Sequence, residues 1–285
     1  MVDKTYKDPG SVLGAIIGAG VGLAAVGLGY NALAGASIII GLTAGTVIGK
    51  RIYRKVKKHP VEIEGIPAII WGRLSDKVYI YVHGKNGCKE EAELFASAAA
   101  LRGWQVLSID LPCHGERAGK GEFVPWEVVP ELKKIYAYVQ TKWHISAVCA
   151  SSIGAYFAML AYKNAKMEKA LFISPILDMP ALIDKMMCAE GISAEELEKQ
   201  KEITAKNGEV ISSKYYEYAK NNPITAWKHP TKMLFAGKDE YTDRATVYNF
   251  AERFGAELTL AEKGEHWFHT PEQLEILEDW VEERV

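Results

Sequence analysis

From residue 60 onward, short apolar or alternating runs at 61–71, 77–82, 105–109, 145–149, 170–173, 232–235 and 256–260 read as strands. Amphipathic stretches at 89–102, 125–141, 153–166, 242–254 and 271–284 lie between and after them and read as helices. This alternation predicts an α/β domain with a mainly parallel central sheet flanked by helices on both faces. The first strands are rich in charge and joined at Glu64-Gly65, and they are expected at an antiparallel edge. Residues 180–230 break the rhythm: they are polar, helix-forming and strandless, which predicts a helical lid insertion between two strands of the sheet.

Ahead of residue 60 the pattern is of another kind. From Pro9 to Gly49 there are 41 residues without Asp, Glu, Lys, Arg or His, and 11 of the chain's 25 glycines fall there. The run is longer than the roughly 20 residues one helix needs to cross a bilayer. The turn-forming stretch Gly29-Tyr30-Asn31 divides it into apolar helices over 11–28 and 32–49. Gly14, Gly18 and Gly22 share one face of the first, and Gly41, Gly45 and Gly49 one face of the second. Glycine at every fourth position allows close helix approach in lipid and self-association through the G-x-x-x-G faces. The pair resembles glycine-zipper two-helix membrane segments. A signal peptide ending near Ala32-Leu33-Ala34 would still leave a second apolar segment. The accidental Gly20-x-Gly22-x-x-Ala25 has no surrounding βαβ pattern, and no acidic residue follows it until Glu62. A hairpin buried in a soluble core is the remaining alternative.

Charge sharpens this division. The formal net charge of −2 comes from 34 Lys+Arg against 36 Asp+Glu. Residues 1–59 contribute +6 and residues 60–285 contribute −8. Residues 50–58 hold six Lys/Arg and no acid, and such clusters stay on the cytoplasmic side of a membrane segment. The expected organisation is therefore a membrane hairpin with its basic linker over 1–59 and a catalytic domain over 60–285. Attachment runs through residues 11–49 and the basic 50–58, with the catalytic domain facing the cytoplasm; a wholly cytoplasmic chain is the alternative. The balance offers no bulk basicity for nucleic acid. The widely spaced Cys88, Cys113, Cys149 and Cys188 give no metal-ligand spacing, and no metal or organic cofactor is expected.

The chemistry concentrates after the strand at 145–149, in Cys149-Ala150-Ser151-Ser152-Ile153-Gly154-Ala155. A strand turning abruptly into a helix presents one side chain at the tip, and residues two before and two after must be small. Ser152 satisfies this with Ala150 and Gly154, whereas Ser151 would place Ile153 at a crowded position. Taken alone, such a turn also reads as a helix N-cap. A serine needs a base, and the base needs a carboxylate to orient it. Asp239 follows the strand at 232–235 and His266 follows the strand at 256–260, both at the expected carboxyl edge of a parallel sheet.

With these pieces in view, residues 60–285 resemble an α/β-hydrolase, in particular its serine aminopeptidase and monoacylglycerol-lipase-like branch. The matching segments are YVHGKNG at 81–87, SIDLPCHGER at 108–117, CASSIGA at 149–155, LFAGKDE at 234–240 and GEHWF at 264–268. The resemblance implies a catalytic triad of Ser152, Asp239 and His266, with backbone N–H groups of Lys85 and Ile153 as oxyanion donors. Ala150 and Ala236 stand where that family often has glycine, and the second leaves Glu240 beside Asp239 as a rival acid. His83 is expected to shape the oxyanion loop, His114 to be structural with Asp110 as its partner, and His269 to be exposed. Asp178 is the second-choice acid.

The expected activity is that of a serine hydrolase acting on a carboxylic ester, thioester or amide of a lipid-like or small acyl substrate. An aminopeptidase or acyltransferase using the same triad, and an inactive interaction module, are the alternatives. Met179, Met186, Met187, Tyr215, Tyr216 and Tyr218 in and near the insertion are candidates for an acyl pocket or for ordinary packing.

Overall fold

The structure is a computed structural model that describes residues 56–285. The expected hairpin at 11–49 and most of the basic linker lie outside the described residues. Among the described residues, no helix is long and apolar enough to cross a membrane.

Eight strands form one sheet: β1 (Lys58–Ile63), β2 (Ile66–Trp71), β3 (Lys77–Val82), β4 (Gln105–Ile109), β5 (Ile145–Ser151), β6 (Ala170–Ile173), β9 (Thr231–Ala236) and β10 (Glu257–Ala261). Their spatial order is β1-β2-β4-β3-β5-β6-β9-β10. The six strands from β4 to β10 run parallel, while β2 is antiparallel to β4 and β1 to β2. The charge-rich start is thus the antiparallel edge that its pattern predicts. Its turn is made at Glu64 and Gly65, both at positive φ (53° and 80°), as a tight two-residue hairpin requires.

The strand period of two divides the core in half. On β3, Val78, Ile80 and Val82 enter one apolar cluster, while Tyr79 and Tyr81 enter the other. On β5, Val148 and Ala150 join the first, and Ala147 and Cys149 the second. The first face is covered by α2 (Pro125–Lys142), α3 (Ile153–Tyr162) and α7 (Arg244–Phe254). The second is covered by α1 (Ala92–Leu101) and α8 (Pro271–Arg284), which touch each other. Every central strand is therefore buried on both sides, which explains runs such as Gln105–Ile109 in which all five residues are buried.

The insertion between β6 and β9 contains α4 (Met179–Glu190), α5 (Ala194–Gln200) and α6 (Ser213–Asn221). It is not strandless, as its composition suggested: β7 (Glu202–Thr204) and β8 (Val210–Ser212) form an antiparallel hairpin. Each strand is three residues long, too short for alternation to register. The informative signal was Asn207-Gly208, a turn dipeptide between the β-branched residues Ile203-Thr204 and Val210-Ile211.

Candidate active site

Ser152 occupies the turn between β5 and α3 with φ 51° and ψ −128°, a conformation that L residues avoid. Neighbouring backbone holds it there. Its N–H donates to Ile173 O at 3.0 Å, and its carbonyl accepts from Ile176 N at 3.1 Å and Ala155 N at 3.1 Å. The small flanking residues have a measurable reason. A Cβ on Gly154 would stand 2.4 Å from the carbonyl oxygen of His83 and 2.6 Å from that of Val82. Ala150 is fully buried. Gly84 passes so close that its own Cβ would lie 3.0 Å from Ser152 Cβ.

His266 reaches Ser152 from the loop after β10, with Nε2 2.8 Å from Oγ. Its Nδ1 lies 2.7 Å from Asp239 Oδ2. The other carboxylate oxygen of Asp239 accepts from the N–H groups of Tyr241 at 2.8 Å and Thr242 at 3.0 Å. With both oxygens engaged and the side chain fully buried, Asp239 can turn only one face to the imidazole. The loops after β9 and β10 interlock to arrange this: Gly237 N donates to Ala261 O at 2.8 Å and Lys238 N to Gly264 O at 2.9 Å. The rings of Tyr241 and Trp267 stand 4.6 Å and 4.9 Å from that of His266. They flank the imidazole that contacts Ser152.

The remaining candidates separate cleanly. Glu240 is exposed. Asp178, also exposed, caps α4 by accepting from Ala181 N at 3.0 Å. His269 is not exposed, as its place before α8 suggested, but half-buried, with Nδ1 3.3 Å from Glu265. Asp110 is not the partner of His114. It is fully buried, accepting from Lys89 N at 2.9 Å, Lys89 Nζ at 2.7 Å and Glu116 N at 3.0 Å.

Two histidines instead pin the loop at 83–87. Leu111 N donates to His83 Nε2 at 3.0 Å, and His83 Nδ1 is 2.7 Å from Gly84 O. Asn86 N donates to His114 Nε2 at 2.9 Å, and His114 Nδ1 is 2.7 Å from Pro112 O. In each ring one nitrogen accepts and the other must donate, which defines the neutral tautomer. Burial reinforces it, lowering His83 to about 4 and shifting His114 in the same direction. Among the described residues, the N–H groups of Lys85 and Ile153 donate to no other backbone or side chain. The Lys85 ammonium pairs with Glu209 from the β7–β8 hairpin, so the insertion reaches back to this loop.

A cavity of about 110 Å³ opens beside Ser152. It lies on the face covered by α1 and α8, and its walls include Phe95, Trp267, Phe268 and Val281. The methionines and tyrosines of the insertion do not line it. Met179 and Met187 are buried in the opposite cluster, with Met186, Tyr215, Tyr216 and Tyr218 packed against it. Their role is packing. Sequence reasoning missed the cavity because its walls come from helices that are distant along the chain.

No protein-family model and no curated protein sequence matches this chain. Solved structures do. Est1E from Butyrivibrio proteoclasticus with ferulic acid bound superposes with a TM-score of 0.65 at 16% identity, covering 79% of this chain and 96% of that one. The Pyrococcus furiosus esterase Pf2001 gives a TM-score of 0.60 at 18% identity, covering 82% and 90%. Mouse alpha/beta hydrolase domain-containing protein 10 gives 0.61 at 16%, covering 81% and 98%. The parallel sheet, the sharp β5–α3 turn and these likenesses together establish that the chain has the α/β-hydrolase fold.

Proposed function

We propose that this protein is a serine hydrolase that cleaves carboxylic esters of small acyl groups. The observation that carries this reading is the continuous chain of contacts Asp239–His266–Ser152, with separations of 2.7 Å and 2.8 Å. His266 Nε2 takes the Ser152 proton as Oγ attacks the carbonyl carbon, and Asp239 stabilises the imidazolium that forms. The N–H groups of Lys85 and Ile153 hold the developing oxyanion, helped by the positive end of α3. His266 then passes its proton to the leaving alcohol, which departs as the tetrahedral intermediate collapses to the acyl-enzyme. Water attacks this ester, giving a proton to His266, and collapse frees the acid and restores Ser152.

The cavity supports the small-acyl reading. Its volume is of the same order as an engineered cavity of about 150 Å³ that accepts benzene, which suits a short acyl group. The Pyrococcus furiosus neighbour is named as an esterase, which agrees with this reaction class. A fluorophosphonate probe tests the proposal. Labelling of the folded protein that disappears in Ser152→Ala supports it; no labelling, or labelling that survives the substitution, overturns it.

Attachment to the cytoplasmic face of a membrane through residues 11–49 and 50–58 belongs to the same proposal, on the strength of their composition. Recovery of the full chain in a carbonate-washed membrane fraction would support it, and recovery in the wash would overturn it.

A further inference from the structure

The cavity beside Ser152 is mainly apolar, yet two of its polar groups are left without partners. Glu91 lines it from the turn just before α1. Its carboxyl packs so closely on Gly87 that a Cβ there would lie 2.7 Å from Oε2. It does not cap α1, and among the described residues no side chain or backbone group pairs with its carboxyl. Lys85, the one lysine lining the cavity, is turned away to Glu209. Ser174 is the second group. It follows β6 at φ 42°, is 1% exposed, and its Oγ has no hydrogen-bond partner among the described residues.

An unpaired buried hydroxyl is costly, so a protein that retains one at Ser174, in the same cavity as the half-buried Glu91 carboxyl, has a use for it. We infer that the cavity selects a short substrate moiety ending in a hydrogen-bond donor, a hydroxyl or an ammonium, with Glu91 accepting from it and Ser174 as the second polar contact. This rests on the serine-hydrolase reading and names the substrate class of the same site. The electrostatics agree. Burial, with Glu90 adding repulsion, pushes Glu91 up to about 8, toward the uncharged acid that both donates and accepts. A hydroxyl therefore meets it without burying a charge, and an ammonium draws out its charged form.

Binding of three arylboronic acids, followed by titration calorimetry, tests this. They are 4-methyl-, 4-(hydroxymethyl)- and 4-(aminomethyl)phenylboronic acid. The Ser152 oxygen forms a bond to the vacant boron orbital and passes its proton to His266, and no bond on boron breaks. Wild type is expected to bind at least one polar-tipped probe about tenfold more tightly than the methyl probe. Glu91→Leu is expected to reverse that order, while Glu91→Gln keeps the preference for the hydroxymethyl probe and loses any for the aminomethyl one. Equal affinities in wild type, or parallel weakening of all three probes in Glu91→Leu with an unchanged unfolding midpoint, would overturn the selection role alone. Failure of every probe to bind wild type would instead overturn the nucleophile reading on which it depends.

Discussion

The backbone N–H of Leu111 donates to Nε2 of His83, so the loop before the candidate nucleophile is held by an imidazole that must stay neutral. A proton on Nε2 would set two donors face to face. His83 falls to about 4 in the folded state from an ordinary 6.5, so the unfolded chain binds more protons between those values. Its contribution to stability is present above pH 6.5 and is lost as the pH falls toward 4. The loss reaches about 3 kcal/mol. In His83→Gln, urea midpoints between pH 7 and 4 should decline by less than those of wild type.

Turnover should depend on three residues and ignore their neighbours. Ser152→Ala and His266→Ala are each expected to lower kcat on a short p-nitrophenyl ester by about 10⁴-fold or more. Asp239→Asn should cost about 10⁴-fold by favouring the wrong imidazole tautomer. Glu240→Gln and Asp178→Asn, at exposed positions off the His266 contact, should stay within about twofold in steady-state assays.

Gly154 admits no side chain. With the His83 carbonyl 2.4 Å from where a Cβ would go, Gly154→Ala must shift either the loop at 83–87 or the turn at Ser152. A loss of about 3 kcal/mol or more is expected in denaturant unfolding, with reduced probe labelling of whatever remains folded.

Lys89 and Asp110 form a pair buried under the same loop, with side chains 4% and 0% exposed. Lys89→Met leaves a carboxylate stranded and should destabilise by about 3 kcal/mol. Adding Asp110→Asn should recover part of this, because the stranded charge is gone while an acceptor remains for one of the two N–H groups, those of Lys89 and Glu116, that the two carboxylate oxygens serve. Urea titrations of the two variants check both.

Much of the site is legible in the amino-acid order alone. Ser152, Asp239 and His266 each follow a strand of a parallel sheet, and such a sheet gathers those ends along one edge. Ala150 and Gly154 single out Ser152 over Ser151 because steric exclusion at a tight turn acts on neighbours in sequence. What stays hidden depends on long-range closure. Glu91 reads as the polar start of an amphipathic helix, and only the packing of α1 on α8 shows that it faces a cavity. Asp110 sits four residues from His114, which suggests a pair. The carboxyl turns instead to Lys89, 21 residues earlier, because an ammonium and two backbone N–H groups satisfy a buried charge better than one ring.

Lys85 stands in two structures at once: its backbone belongs to the loop beside Ser152, and its ammonium to Glu209, 124 residues further along the chain. At half-exposed positions such a pair adds little to stability. Its effect is one of address. Through it the insertion between β6 and β9 reaches the loop beside Ser152. Any graft that discards Glu209 also releases the side chain of the residue expected to hold the reaction's negative charge. The insertion and the loop beside Ser152 are therefore inherited together.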